Sequence, residues 1–381
     1  MPATLPATSL ELRSRVTADG TIELSIAETP VPVPIGNQVL VRVDAAPLNP
    51  SDLMLLFAGP NLAGARYSGS GDRPIVTAPL AGGTLRRLAA RVGISLPAGS
   101  EGAGTVVAAG VDTAAQALLG RTVALAGAGL YAQYRITDAA GCLPLPEGVS
   151  AKQGASSFVN PLTALGMVAT LRREGHTGLV NTAAASNLGQ MLVKLCRADD
   201  VPLVSVVRRP EQEKLLRSIG AEFVCDSSAP TFTEDLVAAL AEASATLAFD
   251  ATAGGELAGR ILTAMETVAG AAAPFAGYGS SVHKQVYVYG GLDPSPTVLA
   301  RNFGFAWSIG GWLLLSFLAG VGDDERTRMF GRVAAELTTT FASGYTGELT
   351  LAQALTPEAI DAYSRKATGA KYLITPQAEG N

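Results

Sequence analysis

Residues 178–190 read GLVNTAAASNLGQ, and this stretch decides the fold. An apolar run leads into a turn of small residues and then into the start of a helix. Backbone N–H groups at such a helix start can approach a pyrophosphate only if the turn carries little side chain. Ala183 to Ser186 meet this requirement, and Gly189 falls in the first helical turn. Because the first two glycines of the GxGxxG pattern are absent, the turn predicts a nucleotide site only in a strand–turn–helix context.

The flanking sequence supplies that context. From about 151 to 310, apolar runs such as VPLVSVV (201–207) alternate with helix-period segments such as PEQEKLLRSIG (210–220). This alternation predicts an α/β domain with a doubly wound parallel sheet. Residues 1–150 contain short β-like runs separated by Gly and Pro, which predict a mostly antiparallel β domain. Residues 311–381 are expected to return to that first domain.

The second expected strand of the α/β domain ends at Arg208 and Arg209. Folds that prefer NADH place an acidic residue here to hold the ribose 2′-hydroxyl, whereas a guanidinium can bind the 2′-phosphate of NADPH. The arginines therefore predict NADPH as the cofactor. The alternative interpretation is a pair of solvated arginines before Pro210.

Composition excludes several classes of protein. The 381 residues are 48% hydrophobic and 16% charged, which rules out global disorder. With 28 Lys and Arg against 33 Asp and Glu, the net charge of −5 argues against nucleic acid as the main partner. The three Cys and two His show no CxxC or HxxxH spacing, so the sequence predicts neither a disulfide framework nor a zinc site, and favours a reducing, cytoplasmic compartment.

Two segments bear on membranes. The N-terminus lacks the unbroken apolar core of a signal peptide, which argues against export by that route. The stretch 302–321 (NFGFAWSIGGWLLLSFLAGV) has no charged side chain and is about long enough to span a bilayer. Its glycines and serines, and its place after an α/β pattern, favour a buried strand leading into a core or subunit-interface helix. We therefore expect no membrane insertion.

Taken in order, nine segments resemble the medium-chain dehydrogenase/reductase superfamily, specifically its zinc-free branch of NADPH:quinone oxidoreductases and enoyl reductases. The segments are VLVRVDAAPLNPSDLML (39–55), GSEGAGTVVAAG (99–110), GRTVALAG (120–127), LPEGVSAKQGA (145–155), NPLTALGMV (160–168), AAASNLGQ (183–190), IGAEFVCD (219–226), FDATAGG (249–255) and GAKYLI (369–374). The resemblance implies a Rossmann domain inserted into a GroES-like β domain, an active site in the cleft between them, and a homodimer.

The departures from that family are informative. Zinc-dependent members carry a Cys and a His ligand where this chain has Asn49 and Ser100, and the lobe that binds structural zinc is missing. Without a metal, a carbonyl must be polarised by hydrogen-bond donors alone, which favours quinones and α,β-unsaturated carbonyls as hydride acceptors. The insertion 58–99, with one short basic helix around 84–92, is longer than in the family and leaves the shape of the substrate mouth open.

Three residues are candidates for catalysis. Asn49 offers an amide donor towards substrate or the nicotinamide carboxamide, or alternatively caps the turn at Pro50. Thr163 resembles the family threonine beside the cofactor, although a helical hydroxyl can simply bond a backbone carbonyl. Tyr67 could protonate a developing enolate, as in enoyl reductases of this branch, but the surrounding ARYSGSG is loop-like and Tyr67 could equally pack at the rim of the cleft.

The leading hypothesis is a zinc-free, NADPH-dependent oxidoreductase that transfers hydride to a quinone or an α,β-unsaturated carbonyl. One alternative is an enoyl-thioester reductase with Tyr67 as proton donor, in which Arg86, Arg87 and Arg91 meet a nucleotide-bearing thioester. A second is a catalytically silent NADPH-binding protein. The predicted cofactor-binding residues are Asn160, Thr163, Ala184, Ala185, Ser186, Asn187, Leu188, Gly189, Arg208, Arg209, Ala251, Thr252, Tyr289, Gly290 and Gly291.

Overall fold

The computed structural model describes residues 5–57, 62, 64–272, 274, 276–365 and 371–378. The start of the predicted insertion, 58–61 with 63, and the first two residues of GAKYLI lie outside the described residues. The chain forms two compact units, Met1–Val159 with Phe330–Asn381, and Asn160–Met329. We call them the β unit and the α/β unit.

The β unit is built from both ends of the chain. Its strands and helices are β1 (Thr8–Val16), β2 (Thr21–Pro30), β3 (Gln38–Pro47), α1 (Pro50–Phe57), β4 (Arg66–Ser70), β5 (Arg73–Pro79), α2 (Gly82–Arg87), β6 (Ser95–Pro97), β7 (Glu101–Ala109), α3 (Thr113–Gln116), β8 (Thr122–Ala126), β9 (Tyr134–Asp138), β10 (Cys142–Pro144) and α4 (Ala151–Gly154). The strands form two sheets, ordered β4-β5-β2-β1-β6 and β10-β8-β7-β3, with β9 also paired to β3. Every pair among these strands is antiparallel.

The α/β unit follows. Its elements are α5 (Val159–Arg173), which begins at the last residue of the β unit, β11 (Gly178–Asn181), α6 (Asn187–Ala198), β12 (Leu203–Val207), α7 (Pro210–Ser218), β13 (Phe223–Asp226), α8 (Phe232–Ala243), β14 (Ala245–Asp250), β15 (Ala253–Gly255), α9 (Leu257–Ala271), β16 (Lys284–Val288), β17 (Asp293–Thr297), β18 (Trp307–Gly311), α10 (Leu314–Gly320) and α11 (Asp323–Glu336), which runs on into the β unit.

Six strands of the α/β unit form one parallel sheet in the order β13-β12-β11-β14-β16-β18. The order reverses between β11 and β14, and ligands of such sheets bind outside the carboxyl ends of the strands at this point. The central strands read as nearly continuous buried runs, as expected where both faces of a parallel sheet are covered. This sheet and the antiparallel β unit confirm the predicted fold class.

The C-terminal segment returns to the β unit. It contributes β19 (Gly347–Leu349), α12 (Pro357–Ser364) and β20 (Tyr372–Ile374). β20 pairs antiparallel with β3, and β19 pairs parallel with β20, so the chain end completes the second sheet. Thr356 is the N-cap of α12, because its hydroxyl accepts the backbone N–H of Ala359 at 3.3 Å.

The insertion differs from its expected loop-like form. ARYSGSG contains the strand β4, which forms a hairpin with β5 and extends the first sheet beyond β2, whereas β6 extends it beyond β1. Gly69 and Gly71 have positive φ, and a Cβ on Gly69 would lie 2.3 Å from a backbone oxygen of β5. The glycines that suggested a loop are therefore the residues that the hairpin requires.

The uncharged stretch 302–321 contains β18, at the edge of the parallel sheet, and the short helix α10. Trp312 packs against Phe249 and Phe317 within the unit. In the described parts of the chain, no helix has both the length and the apolar character needed to cross a membrane.

Candidate active site and cofactor site

The turn after β11 has the geometry that a dinucleotide requires. Ser186 is the N-cap of α6, and its hydroxyl accepts the backbone N–H of Gly189 at 3.1 Å. A Cβ on Gly189 would lie 2.0 Å from the carbonyl oxygen of Ala184, so only glycine allows the helix to pack this closely on the turn. Ala183 adopts a left-handed conformation (φ 49°), the state that a glycine usually supplies. The fold thus reproduces a glycine-rich turn with alanines.

A buried carboxylate that sequence reasoning missed organises the end of β14. Asp250 accepts hydrogen bonds from the Thr182 hydroxyl at 2.7 Å and from the backbone N–H groups of Thr252 at 2.9 Å and Ala253 at 3.1 Å. The Thr182 hydroxyl in turn accepts the N–H of Ala251 at 2.9 Å. Asp250 therefore fixes the backbone of two predicted cofactor residues, Ala251 and Thr252, relative to the end of β11.

Two arginines follow the end of β12. Arg208 and Arg209 are both exposed, and the backbone N–H of Arg208 donates to the Gln212 side chain at 3.1 Å. Within the described ranges, neither guanidinium has an ion-pair or hydrogen-bond partner. Both side chains are therefore available to an anionic ligand.

The residues after β16 combine a buried tyrosine with two glycines. The Tyr289 hydroxyl donates to Asn181 Oδ1 at 3.3 Å, and burial raises the pKa of Tyr289 far above its usual range. A Cβ on Gly290 would lie 2.8 Å from the carbonyl oxygen of Ala251, whereas one on Gly291 would meet no atom within 4 Å. Gly290 therefore permits close packing of the β14 and β16 ends, and open space adjoins Gly291.

Two further predicted cofactor residues lie in the first turns of α5. Thr163 is buried and Asn160 is half-buried. The other predicted cofactor residues follow the carboxyl ends of β11, β12, β14 and β16 in the chain. The structure thus brings most of the predicted cofactor residues to one edge of the parallel sheet.

The β unit contains a second group of candidate residues, centred on Asn49 at the start of α1. The backbone N–H of Asn49 donates to Asp52 Oδ2 at 2.9 Å, and the Asp52 N–H donates to the carbonyl of Asn49 at 3.0 Å. The Asn49 side chain instead reaches Glu101, with Nδ2 donating to Oε1 at 2.8 Å. Asp52 is therefore the main capping side chain of α1, whereas the Asn49 side-chain amide bonds Glu101 and does not cap the helix.

The Asp52 side chain is buried. Burial raises its pKa from 3.8 to about 6, against the opposing effect of its hydrogen bonds, which include one from the Tyr131 hydroxyl at 2.8 Å. The same hydroxyl lies 3.0 Å from the carbonyl oxygen of Pro47. Tyr131 is fully buried and also a hydrogen-bond partner of Asp52, which caps α1.

Glu101 and Lys371 were not predicted from the sequence. Glu101 Oε2 accepts the backbone N–H groups of Phe158 and Val159, each at 2.9 Å. Lys371 Nζ donates to the Ser156 hydroxyl at 2.7 Å, and burial lowers the pKa of the amine to about 8 although Glu101 opposes this shift. The only signals in the sequence were the motifs GSEGAG and GAKYLI themselves, because no spacing rule joins residues so far apart.

Tyr67 lies on β4 and is 43% exposed. Burial raises its pKa, with further contributions from Glu358 and Asp361 on α12. Its charged neighbours are therefore acidic residues of the β unit, and its role as proton donor stays a prediction. Arg91, by contrast, bonds the insertion to α1 and β1, because it donates to the Leu55 carbonyl at 3.0 Å and the Ser14 hydroxyl at 2.7 Å.

The three cysteine side chains of the described ranges are buried or half-buried. Burial raises the pKa of Cys142 to about 11 and that of Cys225 to about 12, and Cys196 shifts in the same direction. No group of three or more His, Cys, Asp or Glu side chains is placed to hold a metal ion there.

Comparisons with known proteins agree with this architecture. The model of the alcohol dehydrogenase GroES-like domain matches residues 36–147. Prostaglandin reductase-3 from Bos taurus is 28% identical over 201 residues, 51% of this chain and 44% of that protein. The mitochondrial enoyl-[acyl-carrier-protein] reductase of Mus musculus is 28% identical over 195 residues, 50% of this chain and 45% of that protein. The chain thus spans less than half the length of these curated relatives.

Among solved structures, a protein from Mesorhizobium loti assigned as an NADPH:quinone reductase matches with a TM-score of 0.72 and 26% identity, over 98% of this chain and 100% of that one. The two units therefore define a GroES-like domain combined with a Rossmann-like domain. The chain is similar to members of the medium-chain dehydrogenase/reductase superfamily of oxidoreductases.

Proposed function

We propose that the protein is a zinc-free, NADPH-dependent reductase that transfers hydride to a quinone or an α,β-unsaturated carbonyl. The observation that carries this proposal is the edge of the parallel sheet, where a close-packed Gly189 turn and two unpaired arginines meet the requirements of a phosphorylated dinucleotide. NADPH, when bound, would supply the hydride.

The chain's own residues fit this cofactor. The small turn 183–186 would admit the pyrophosphate, and Arg208 with Arg209 would bind the 2′-phosphate through charge-assisted hydrogen bonds. Asp250 accepts the backbone N–H groups of Thr252 and Ala253, and the Thr182 hydroxyl that it binds accepts the N–H of Ala251, so the backbone at 251–253 is held in a fixed conformation. We assign the nicotinamide end to Asn160, Thr163 and the segment 289–291, by resemblance to the family.

A quinone or an enone is a suitable hydride acceptor for the proposed zinc-free site, because such acceptors spread the charge of the added hydride over a conjugated system. Asn49 and Ser100 stand where zinc-dependent relatives carry ligands, and the Asn49 amide is bonded to Glu101. We propose Asn49 and Thr163 as the neutral groups that contact the reacting molecules. Full activity in the presence of a zinc chelator, with no zinc detected in the protein, is the expected result.

The test is NADPH oxidation measured against ortho- and para-quinones, enones and enoyl thioesters, with NADH at equal concentration in parallel. We expect turnover of a quinone or an enone with NADPH. A strong preference for NADH would contradict the assignment of Arg208 and Arg209. Cofactor binding with no turnover on any acceptor would favour the silent binding protein instead.

An enoyl-thioester reductase is the second candidate, favoured by the half-exposed Tyr67 on the insertion and by the similarity to an enoyl reductase. Arg86 and Arg87 lie on the surface and could meet a phosphorylated thioester, whereas Arg91 is bonded within the unit. If Tyr67→Phe left the rate of enone and enoyl-thioester reduction unchanged, the donor role would be discarded.

We also propose a homodimer, with a second copy covering the open edge of β18. Phe305, just before this strand in the chain, is 79% exposed, and Leu315, just after it, is 71% exposed. Unprotected strand edges readily pair with another chain. Sedimentation should show a dimer, and the Phe305→Asp variant should sediment as a monomer.

The free thiols of Cys142, Cys196 and Cys225 support the proposed location in the reducing cytoplasm.

A further inference from the structure

Asn49 carries an unpaired polar atom in a closed environment. The residue is 2% exposed, and its side-chain oxygen Oδ1 is buried without a hydrogen-bond partner in the described parts of the chain. A buried acceptor left unpaired is costly, and native structures nearly always satisfy such atoms. This oxygen therefore points to a donor that a ligand supplies.

The orientation of the Asn49 amide follows from its neighbour. Glu101 Oε1 accepts a hydrogen bond from Asn49 Nδ2 at 2.8 Å, and Oε2 accepts hydrogen bonds from the backbone N–H groups of Phe158 and Val159. A carboxylate can only accept hydrogen bonds, so the amide nitrogen must face Glu101. The carbonyl oxygen of Asn49 must consequently face away from it.

We propose that Glu101 is a positioning residue that holds Asn49 as a hydrogen-bond acceptor, and that Asn49 Oδ1 selects ligands carrying an N–H or O–H donor. This inference rests on the proposed reductase function and specifies the chemistry of its site. It reverses the expectation that Asn49 acts through its amide donor. The donor could come from the primary carboxamide of the dihydronicotinamide or from a hydroxyl of the reduced acceptor.

The substitution Glu101→Gln should reverse the polarity of this arrangement. The backbone N–H groups of Phe158 and Val159 require an acceptor, so the oxygen of the introduced glutamine takes that position and its nitrogen faces Asn49. Asn49 must then turn its own oxygen towards the introduced glutamine and present Nδ2 instead. Adding Asn49→Asp to Glu101→Gln restores an outward oxygen, because an aspartate both accepts from the glutamine nitrogen and presents a second acceptor.

The experiment measures dissociation constants by fluorescence titration for two matched ligand pairs. The first pair is NADPH and its 3-acetylpyridine analogue, which lacks the carboxamide N–H donors. The second is a hydroquinone and its methyl ether, each measured in the presence of NADP⁺. The wild-type protein should favour the donor-bearing member of at least one pair by about ten-fold, and the responsive pair identifies the source of the donor.

Asn49→Ala should abolish this preference, Glu101→Gln should abolish or invert it, and Asn49→Asp/Glu101→Gln should recover most of it. Glu348→Gln, which changes an exposed glutamate of the same unit, should leave it unchanged. Equal ratios in wild type and Asn49→Ala for both pairs would overturn the inference while leaving the reductase function intact. If wild type bound neither NADPH nor the hydroquinone, both the inference and the proposed function would fall.

A purely structural role for Glu101 predicts a different pattern. Loss of packing would weaken all ligands alike, and the double variant would be worse than either single one. Rescue of the ligand preference by the double variant is therefore the decisive result.

Discussion

The two units build their candidate sites by opposite means. In the α/β unit, the turn 183–186 offers backbone groups and small side chains to a ligand, and Gly189 leaves no room for a Cβ atom. In the β unit, the surroundings of Asn49 consist of buried, titratable side chains bonded to one another. The first arrangement depends on space and the second on charge, so steric and electrostatic substitutions should affect them differently.

The largest effect is expected from Gly189→Ala. The added Cβ would lie 2.0 Å from the Ala184 oxygen and 2.7 Å from its Cα, and backbone atoms cannot easily move away. We expect a loss of about 3–5 kcal/mol in the free energy of unfolding and loss of NADPH binding. Urea denaturation and fluorescence titration measure the two quantities.

Two matched variants show whether the effect is specific to this contact. Gly270→Ala in α9 meets no atom within 4 Å and should stabilise the helix by about 0.5–1 kcal/mol. Ala183→Gly relieves the left-handed conformation and should change stability by less than about 1 kcal/mol. Equal losses in Gly189→Ala and Gly270→Ala would remove the steric argument.

In the β unit, Asp52 should make stability depend on pH. Its pKa rises from 3.8 in the unfolded chain to about 6 in the folded one, because burial disfavours the charged form. The folded state thus holds this proton more tightly. The contribution of Asp52 to the free energy of unfolding is therefore favourable below about pH 4 and is lost as the pH rises to about 6. A difference of that size corresponds to about 3 kcal/mol.

Asp52→Asn keeps an acceptor oxygen for Asn49 and Tyr131 but cannot ionise. We expect this variant to be more stable than wild type at about pH 7 by up to about 3 kcal/mol, with the advantage vanishing near pH 4. Urea unfolding between these pH values tests this, with the exposed Asp361→Asn as control. Parallel pH profiles for wild type and Asp52→Asn would contradict the burial argument.

A smaller effect is expected from the double variant Arg208→Ala/Arg209→Ala. It should weaken NADPH about 30-fold, near 2 kcal/mol, and leave NADH almost unchanged, because only the 2′-phosphate loses its partners. Arg217→Ala, on α7 and paired with Glu213, is the matched control. Equal weakening of both cofactors would show that the arginines do not read the 2′-phosphate.

The smallest effect should come from Tyr131→Phe. The change removes the hydroxyl that lies near Asp52 and Pro47 and leaves the ring in place. We expect a loss of about 1 kcal/mol and a further rise in the pKa of Asp52, detectable by calorimetry and as a steeper fall of stability above about pH 5. Tyr134→Phe, in β9, should have no effect on that pH profile.

The sequence predicted the fold better than the site. Apolar runs broken by helical segments encode a parallel sheet locally, and the cap at Thr356 is a short-range pattern. The β4–β5 hairpin was missed because its Gly and Ser residues mimic a loop. Asp250 and Glu101 were missed because their partners lie up to 68 residues away, and only the folded chain brings those groups together.

The insertion also has a consequence for solubility. Its strands cover both sides of the β1–β2 hairpin, with β5 beside β2 and β6 beside β1. A chain without residues 66–97 would expose two rows of unpaired backbone groups at once, which favours aggregation. The segment expected to shape the substrate mouth thus also shields the N-terminal strands, and shortening it would require new protection for both edges.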